Sequence, residues 1–295
     1  MTNRQWYSTW AAQVDQYLDQ HLPAESGSSS VLPAAMRYAV FSGGKRLRPV
    51  LTLASCEAAG GKPEDALPAA AALELVHTYS LVHDDLPAMD DDQMRRGRPT
   101  VHIAYDEAIA ILAGDALLTL AFEWLTDDLV CRCGAERSVR VAAGIARGAG
   151  PAGLIAGQVQ DLAAEGREID GPTLKSIHRA KTGALFAACA RTGGLVAGGG
   201  DADLKALAEY GYSFGLAFQI MDDVLDVTGD ARLTGRPAGR DQDRLKATFP
   251  ALYGLDSARE QARGLIEHCV RVLEPLAGRN QRLIELARFT ESRQY

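Results

Sequence analysis

The chain has 295 residues, 47% of them hydrophobic and 23% charged, an ordinary balance for a globular protein with a sizeable core. Its formal net charge of -7 argues against nucleic acid as a partner, because phosphate binding by charge needs a basic surface, and it requires any phosphate site to be local. The five cysteines, Cys56, Cys131, Cys133, Cys189 and Cys269, include no CxxC pair, so neither a disulfide framework nor a zinc site is expected and a reducing cytoplasm is the predicted compartment.

Helical spacing of apolar residues recurs almost throughout, while alternating, β-branched runs are scarce. Trp6, Trp10, Val14 and Leu18 give the first predicted helix an apolar stripe. Further helices are predicted over about 32–59, 63–83, 106–125, 136–148, 172–191, 202–227 and 255–286. Glycine, proline and serine breaks fall at 26–30, 60–61, 87, 97–99, 148–150, 198–200 and 229–239. No apolar run of signal-peptide length begins the chain. The most apolar stretch, 104–125, is interrupted by Asp106, Glu107, Asp115 and Glu123, so no membrane insertion is expected. With no low-complexity linker, residues 1–295 read as one all-α domain, long helices surrounding a central cavity.

Four constellations carry chemistry. The segment HDDLPAMDDDQMRRGRP, 83–99, sets Asp84, Asp85, Asp90, Asp91 and Asp92 before Arg95, Arg96 and Arg98. Pro87 must end or kink the incoming helix near Leu86. Asp84 and Asp90 would point apart on a straight helix, since six steps turn roughly 600°, but a kink could bring them together. All-oxygen ligands suit a hard cation such as Mg²⁺, bound through one or two carboxylates plus substrate phosphates; the plainer reading is a solvated acidic turn.

In QIMDDVLD, 219–226, Asp222 and Asp226 are four apart on one helix face amid apolar neighbours, a repulsive arrangement that calls for a counter-cation unless the helix end is simply exposed. In SGGKRLRP, 42–49, Lys45 and Arg48 are expected on one helix face after glycines that allow close backbone approach. That fits a diphosphate cradle or a plain basic helix start, and lacks the nucleotide-loop pattern. Lys181, Thr182 and Gly183 interrupt an apolar helix, where the glycine loosens the turn and frees a carbonyl or merely eases packing. Gln158 and Asp161 form a weaker polar pair, and His77 is ambiguous, since a lone histidine is more often a satisfied core residue than a ligand.

Taken in order, GGKRLRP, DDLPAMDDD with RRGRP, GQVQDL, KTG and FQIMDDVLD closely resemble the trans-prenyl diphosphate synthases over about residues 32–255. The resemblance implies an all-α fold of ten or more helices around a deep cavity, a homodimer, and three Mg²⁺ per active site with Mn²⁺ able to substitute. It also implies head-to-tail condensation of isopentenyl diphosphate with dimethylallyl or geranyl diphosphate. Asp84, Asp90 and Asp222, helped by Asp85, Asp223 and Asp226, would hold the metals on the allylic diphosphate. Arg95 and Lys181 would neutralise the leaving group.

By the same resemblance, Lys45, Arg48, His77 and Arg96 would bind isopentenyl diphosphate. The Thr182 hydroxyl, the Lys181 carbonyl and the Gln219 amide would face the allylic cation, which a nucleophilic side chain would trap. One departure stands out: where the family often carries two lysines after the second aspartate motif, this chain offers Arg236 and Lys246 at shifted spacing. Tyr79, five residues before Asp84, is the bulky group expected to stop elongation. Together with the two extra residues in DDLPAMD, it suggests a C15 product. Geranyl or geranylgeranyl diphosphate synthesis remains the near alternative. A class I terpene cyclase would instead carry Asn, Ser or Thr, and Glu in its second motif, and a non-catalytic subunit would have lost aspartates or their basic partners.

Overall fold

A computed structural model describes residues 5–25, 30–228 and 247–291. It is all-α. In chain order the helices are α1 (Gln5–His21), α2 (Val31–Val40), α3 (Leu47–Ala58), α4 (Leu67–Asp84), α5 (Val101–Ala104), α6 (Glu107–Thr126), α7 (Asp128–Cys133) and α8 (Ala135–Ala149). They continue with α9 (Leu154–Ala164), α10 (Gly171–His178), α11 (Ala184–Ala197), α12 (Asp201–Thr228), α13 (Phe249–Tyr253), α14 (Leu255–Val272) and α15 (Gln281–Glu291). Among the described residues the strands are two short ones, β1 (Met94–Arg95) and β2 (Arg98–Pro99), paired antiparallel. Two compact units are present, one of Met1–Leu53 with Pro63–Ala142 and one of Ala54–Lys62 with Ala143–Tyr295.

In the first unit the predicted stripe on α1 is largely buried: Trp10, Val14 and Leu18 face inward, and the Trp6 and Trp10 rings meet edge to face at 5.1 Å. Between Leu67 and Val82, α4 is mostly apolar, with Glu74, His77, Thr78 and Ser80 as exceptions, close to the pattern of a helix buried all round. It packs against α6. Leu73, Leu75, Leu117 and Leu125 are fully buried there, each worth roughly 1.5–3 kcal/mol of apolar burial.

The helix predicted over 32–59 is in fact two. Gly43, Gly44 and Arg46 have φ of 99°, 140° and 52°, backbone that no right-handed helix contains. α2 therefore stops at Val40 and α3 starts at Leu47. Lys45 precedes α3 and Arg48 lies in its first turn, so the expectation that the two share a helix face is corrected.

The stretch Glu107–Cys133 is long and apolar enough by composition to cross a membrane, and 39% of its most apolar window is buried. The charges at Asp115 and Glu123 thus interrupt the run less than the sequence suggested. α6 leaves Ile111 and Leu112 exposed, as α5 does Ile103.

In the second unit α12 packs against α11 and α14. Leu174, Ile220, Met221, Val224, Phe249, Ala258 and Ala262 form a buried cluster. Because Ile220, Met221 and Val224 turn inward, Asp222 and Asp226 are left half-buried on another face, one turn apart. The helix predicted over 172–191 is divided by a π-helical turn, Arg179–Gly183. The one predicted over 255–286 ends at Val272, where Pro275 in the 3₁₀ turn Glu274–Leu276 and Gly278 at φ 84° prevent continuation.

Candidate active site

The first carboxylate segment is shaped by its backbone. α4 ends at Asp84, three residues before Pro87, as the proline requires. The chain then folds back. The Asp90 N–H donates to the Asp84 carbonyl at 2.8 Å, the Asp92 N–H to that of Asp85 at 3.2 Å, and the Met89 and Asp91 N–H groups both reach Leu86. Asp84 and Asp90, six apart in sequence, are thereby held side by side and half-buried.

Asp85 and Asp92 are buried. Arg95 grips Asp85 with Nε at 2.9 Å from both oxygens and Nη2 at 2.6 Å, with Asp92 at 3.8 Å. Despite burial, these carboxylates hold the Arg95 pKa above its ordinary value. Pairing of Met94 with Pro99 and Arg95 with Arg98 leaves Arg96 and Gly97 as a two-residue turn, with φ of 52° and 77°. Positive φ at both positions is what a type I′ hairpin needs. The turn sends Arg96 to the Gly43 carbonyl, which accepts from Nη1.

His77 lies on α4 two turns before Asp84. Burial first, then the charges of Arg48, Arg96, Arg95 and Arg46, hold its pKa well below the ordinary 6.5. The imidazole is therefore neutral at pH 7, and its Nδ1 is buried without a hydrogen bond among the described residues. A neutral donor set among guanidinium groups is suited to an anion with several oxygens. Lys45 is exposed at the rim of this cluster, and its carbonyl accepts from the Tyr7 hydroxyl. Tyr79 is buried, with its ring edge-on to His83 at 5.8 Å. Burial, then the charge of Asp84, raises its pKa.

In the second unit the π turn carries Lys181 and Thr182. A Cβ on Gly157 of α9 would lie 2.1 Å from the Lys181 nitrogen, and one on Gly215 of α12 would lie 2.8 Å from the Gly183 Cα. The turn is thus gripped by close backbone approach from two helices, and the widened ladder interrupts the regular i→i−4 bonding there. Thr182 Oγ1 donates to Gln219 Oε1 at 2.9 Å, Gln219 Nε2 to Asp223 Oδ1 at 3.2 Å, and the Phe249 N–H to Asp223 Oδ2 at 3.0 Å. The Lys181 ammonium pairs with Asp161 Oδ2 at 2.7 Å. His178, buried against the Phe249 ring, has a pKa lowered to about 4, by burial first, with Asp161 raising it and Lys181 lowering it.

The donor chemistry fits Mg²⁺. Asp84 with Asp90, and Asp222 with Asp226, are all-oxygen pairs, the hard donors that Mg²⁺ takes when water and phosphate complete its octahedron. Both oxygens of Asp85 and of Asp223 are already engaged within the protein.

Lys246 and Arg236 lie outside the described residues. Asp161, weakly marked in the sequence, is the partner of Lys181, whereas its companion Gln158 is buried with neither amide atom hydrogen-bonded among the described residues. Glu74, Arg46 and His178 were missed. A single carboxylate inside the apolar run 67–82 was the available signal for a buried ion pair.

The polyprenyl synthetase family model matches residues 29–284. A dimethylallyltranstransferase of Fischerella ambigua (strain UTEX 1903) is 48% identical over 91% of this chain and 78% of its own length. A geranylgeranyl diphosphate synthase of Cyanophora paradoxa is 43% identical over 95% and 93%. A solved apo structure of an FPP/GFPP synthase from Zymomonas mobilis superposes with a TM-score of 0.87 at 36% identity, covering 98% of each chain.

Proposed function

The chain belongs to the polyprenyl synthetase family and is a short-chain trans-prenyltransferase, and from that premise we propose that it makes mainly farnesyl diphosphate, from isopentenyl diphosphate and dimethylallyl or geranyl diphosphate. The carrying observation is the first unit's pairing of Asp84 and Asp90, side by side, with a neutral His77 under the influence of Arg48, Arg95 and Arg96. Carboxylates and basic groups so close together suit a metal-bridged diphosphate and a second, directly bound one.

In this reading Lys45, Arg48, His77 and Arg96 hold the diphosphate of isopentenyl diphosphate. Asp84 with Asp90 in the first unit, and Asp222 with Asp226 in the second, would hold Mg²⁺, with three ions expected from the family resemblance and Mn²⁺ able to substitute. Asp85 fixes Arg95, and Asp223 fixes Gln219 and the start of α13. Bound Mg²⁺ supplies neutralisation of the charge that builds on the departing allylic diphosphate. Arg95 and Lys181 are each proposed to neutralise the leaving group, with Lys246 a further candidate. Thr182 and Gln219 are uncharged and satisfied by one another, so they offer dipoles to an allylic cation without a nucleophile to capture it. The departing diphosphate takes the final proton.

The chain-length reading rests on Tyr79. Its buried ring sits on α4 five residues before Asp84, where it would obstruct a growing prenyl chain. The exposed apolar side chains Ile103, Ile111 and Leu112 support a homodimer, and the protein is proposed to act in the cytoplasm. Turnover of labelled isopentenyl diphosphate with geranyl diphosphate, with and without Mg²⁺, followed by product chromatography, tests the proposal. Metal-dependent formation of farnesyl diphosphate is expected. No condensation would sink the enzymatic reading, and a main product of C20 or longer would sink the Tyr79 argument alone.

A further inference from the structure

We propose that Arg46, the middle basic residue of GGKRLRP, is a positioning residue: its buried ion pair with Glu74 sets the spacing of Lys45 and Arg48 relative to His77 and so tunes the affinity for isopentenyl diphosphate. This rests on the reading above, in which those three residues bind that substrate.

The motif alone offers three basic side chains, but Arg46 is buried and turned to partners within the protein, with each of its three nitrogens already donating. Its Nε donates to Asp15 Oδ1 at 2.6 Å, its Nη1 to Glu74 Oε1 at 2.8 Å and its Nη2 to the Val40 carbonyl at 2.8 Å. It is only 5% exposed, and Glu74 only 3%. The backbone shows what this anchorage does. Arg46 holds φ at 52°, a conformation unfavourable for a residue with a Cβ, which persists only where surrounding contacts over-determine it. That single left-handed residue separates Lys45, outside α3, from Arg48, inside its first turn.

The far end of the pair is as specific. Glu74 and His77 are three apart on α4 and hence neighbours on one face, so the fork that closes on Glu74 ties the loop to the turn bearing His77. α1 clasps the same loop twice, through Asp15 to Arg46 and through the Tyr7 hydroxyl to the Lys45 carbonyl. Arg96 secures it at the Gly43 carbonyl. A planar fork is needed to serve Asp15, Glu74 and a carbonyl at once, and a lysine at position 46 would keep the charge but lose that geometry.

The test uses the full chain with Arg46→Lys, Glu74→Gln and the double variant Arg46→Met with Glu74→Leu. The double variant removes both buried charges together and leaves neither unpaired, which keeps the question answerable if a single variant does not fold. Circular dichroism checks folding. Steady-state kinetics then gives KM for each substrate and kcat, and calorimetry gives direct binding of isopentenyl diphosphate.

The expected result is a KM for isopentenyl diphosphate raised by about tenfold or more, the factor that one misplaced charge-assisted hydrogen bond is worth. Calorimetric affinity should weaken in parallel, while KM for geranyl diphosphate and saturated kcat change little. A folded double variant with unchanged isopentenyl diphosphate KM, or with both KM values raised alike, overturns the proposal. A wild-type chain that binds no isopentenyl diphosphate overturns the functional reading, and this inference with it.

Discussion

Acidification should destabilise this protein in part through His178. The imidazole is buried at the end of α10 against Phe249, and its pKa is lowered to about 4, while in the unfolded chain it returns to about 6.5. Because the folded value is depressed, the unfolded state binds the extra proton. Stability is therefore full above about pH 6.5 and is lost as pH falls toward 4. At pH 5 the unfolded chain is about 97% protonated at this residue and the folded one about 9%, a linkage loss of about 2 kcal/mol, rising to about 3 kcal/mol below pH 4. His77 shifts in the same direction, so the His178 share must be isolated by difference. Urea denaturation followed by circular dichroism at pH 8, 6 and 5, on wild type and His178→Leu, does this, since every other titration is common to both. Wild type should lose about 2 kcal/mol more than the variant between pH 8 and pH 5. Curves that run parallel within about 0.5 kcal/mol would refute the assignment of a buried, neutral imidazole.

Three further outcomes follow from single contacts. Asp85→Ala leaves the Arg95 guanidinium without its principal buried counter-ion, which should cost about 3–5 kcal/mol of stability and greatly reduce kcat, as read by thermal unfolding and turnover; an unchanged melting temperature would show that Asp92 alone suffices. Gly157→Ala puts a methyl group 2.1 Å from the Lys181 nitrogen, so α9 and the π turn must separate. A loss of at least about 1–3 kcal/mol is expected from overpacking, with activity falling beyond what the lost folded fraction explains. Tyr79→Ala should lengthen the main product when assayed by chromatography, and an unaltered product distribution counts against the ring as the stop.

The parts of this site that were readable in the sequence are those decided by local chemistry. Pro87 cannot continue α4, so the turn that brings Asp90 back to Asp84 was foreseeable, and four-residue spacing alone puts Asp222 and Asp226 on one face of α12. The Gly43–Gly44 pair was a local sign of the break between α2 and α3, but the restart at Leu47 was not legible, because it depends on Arg46 holding an unfavourable φ with the help of Asp15 and Glu74, 31 and 28 residues away. Gly183 announced a loosened turn. Its close packing depends on Gly157 and Gly215, which let α9 and α12 approach its backbone and which no local pattern around Gly183 reveals. α5, α7 and α13 are each too short for a period to register, whereas Pro275 is a plain stop signal within the apolar periodicity over 255–286.

The two aspartate doublets share a division of labour that their spelling conceals. Adjacent residues on a helix point about 100° apart, so Asp84–Asp85 and Asp222–Asp223 cannot present both carboxylates to one ligand. In each doublet the second member turns inward: Asp85 is clamped by Arg95, and Asp223 by Gln219 and the Phe249 N–H. Each inward carboxylate is used to place a cation or a dipole, while its neighbour stays half-buried with Asp90 or Asp226 beside it. Asparagine at position 85 or 223 should therefore act differently from asparagine at 84 or 222. The inner replacements should disturb Arg95 or α13 and lower stability, whereas the outer ones should leave the fold intact and raise the Mg²⁺ concentration needed for half-maximal turnover. Thermal unfolding and metal titration of the four variants separate the two roles, and a common phenotype for both members of a doublet would contradict the division.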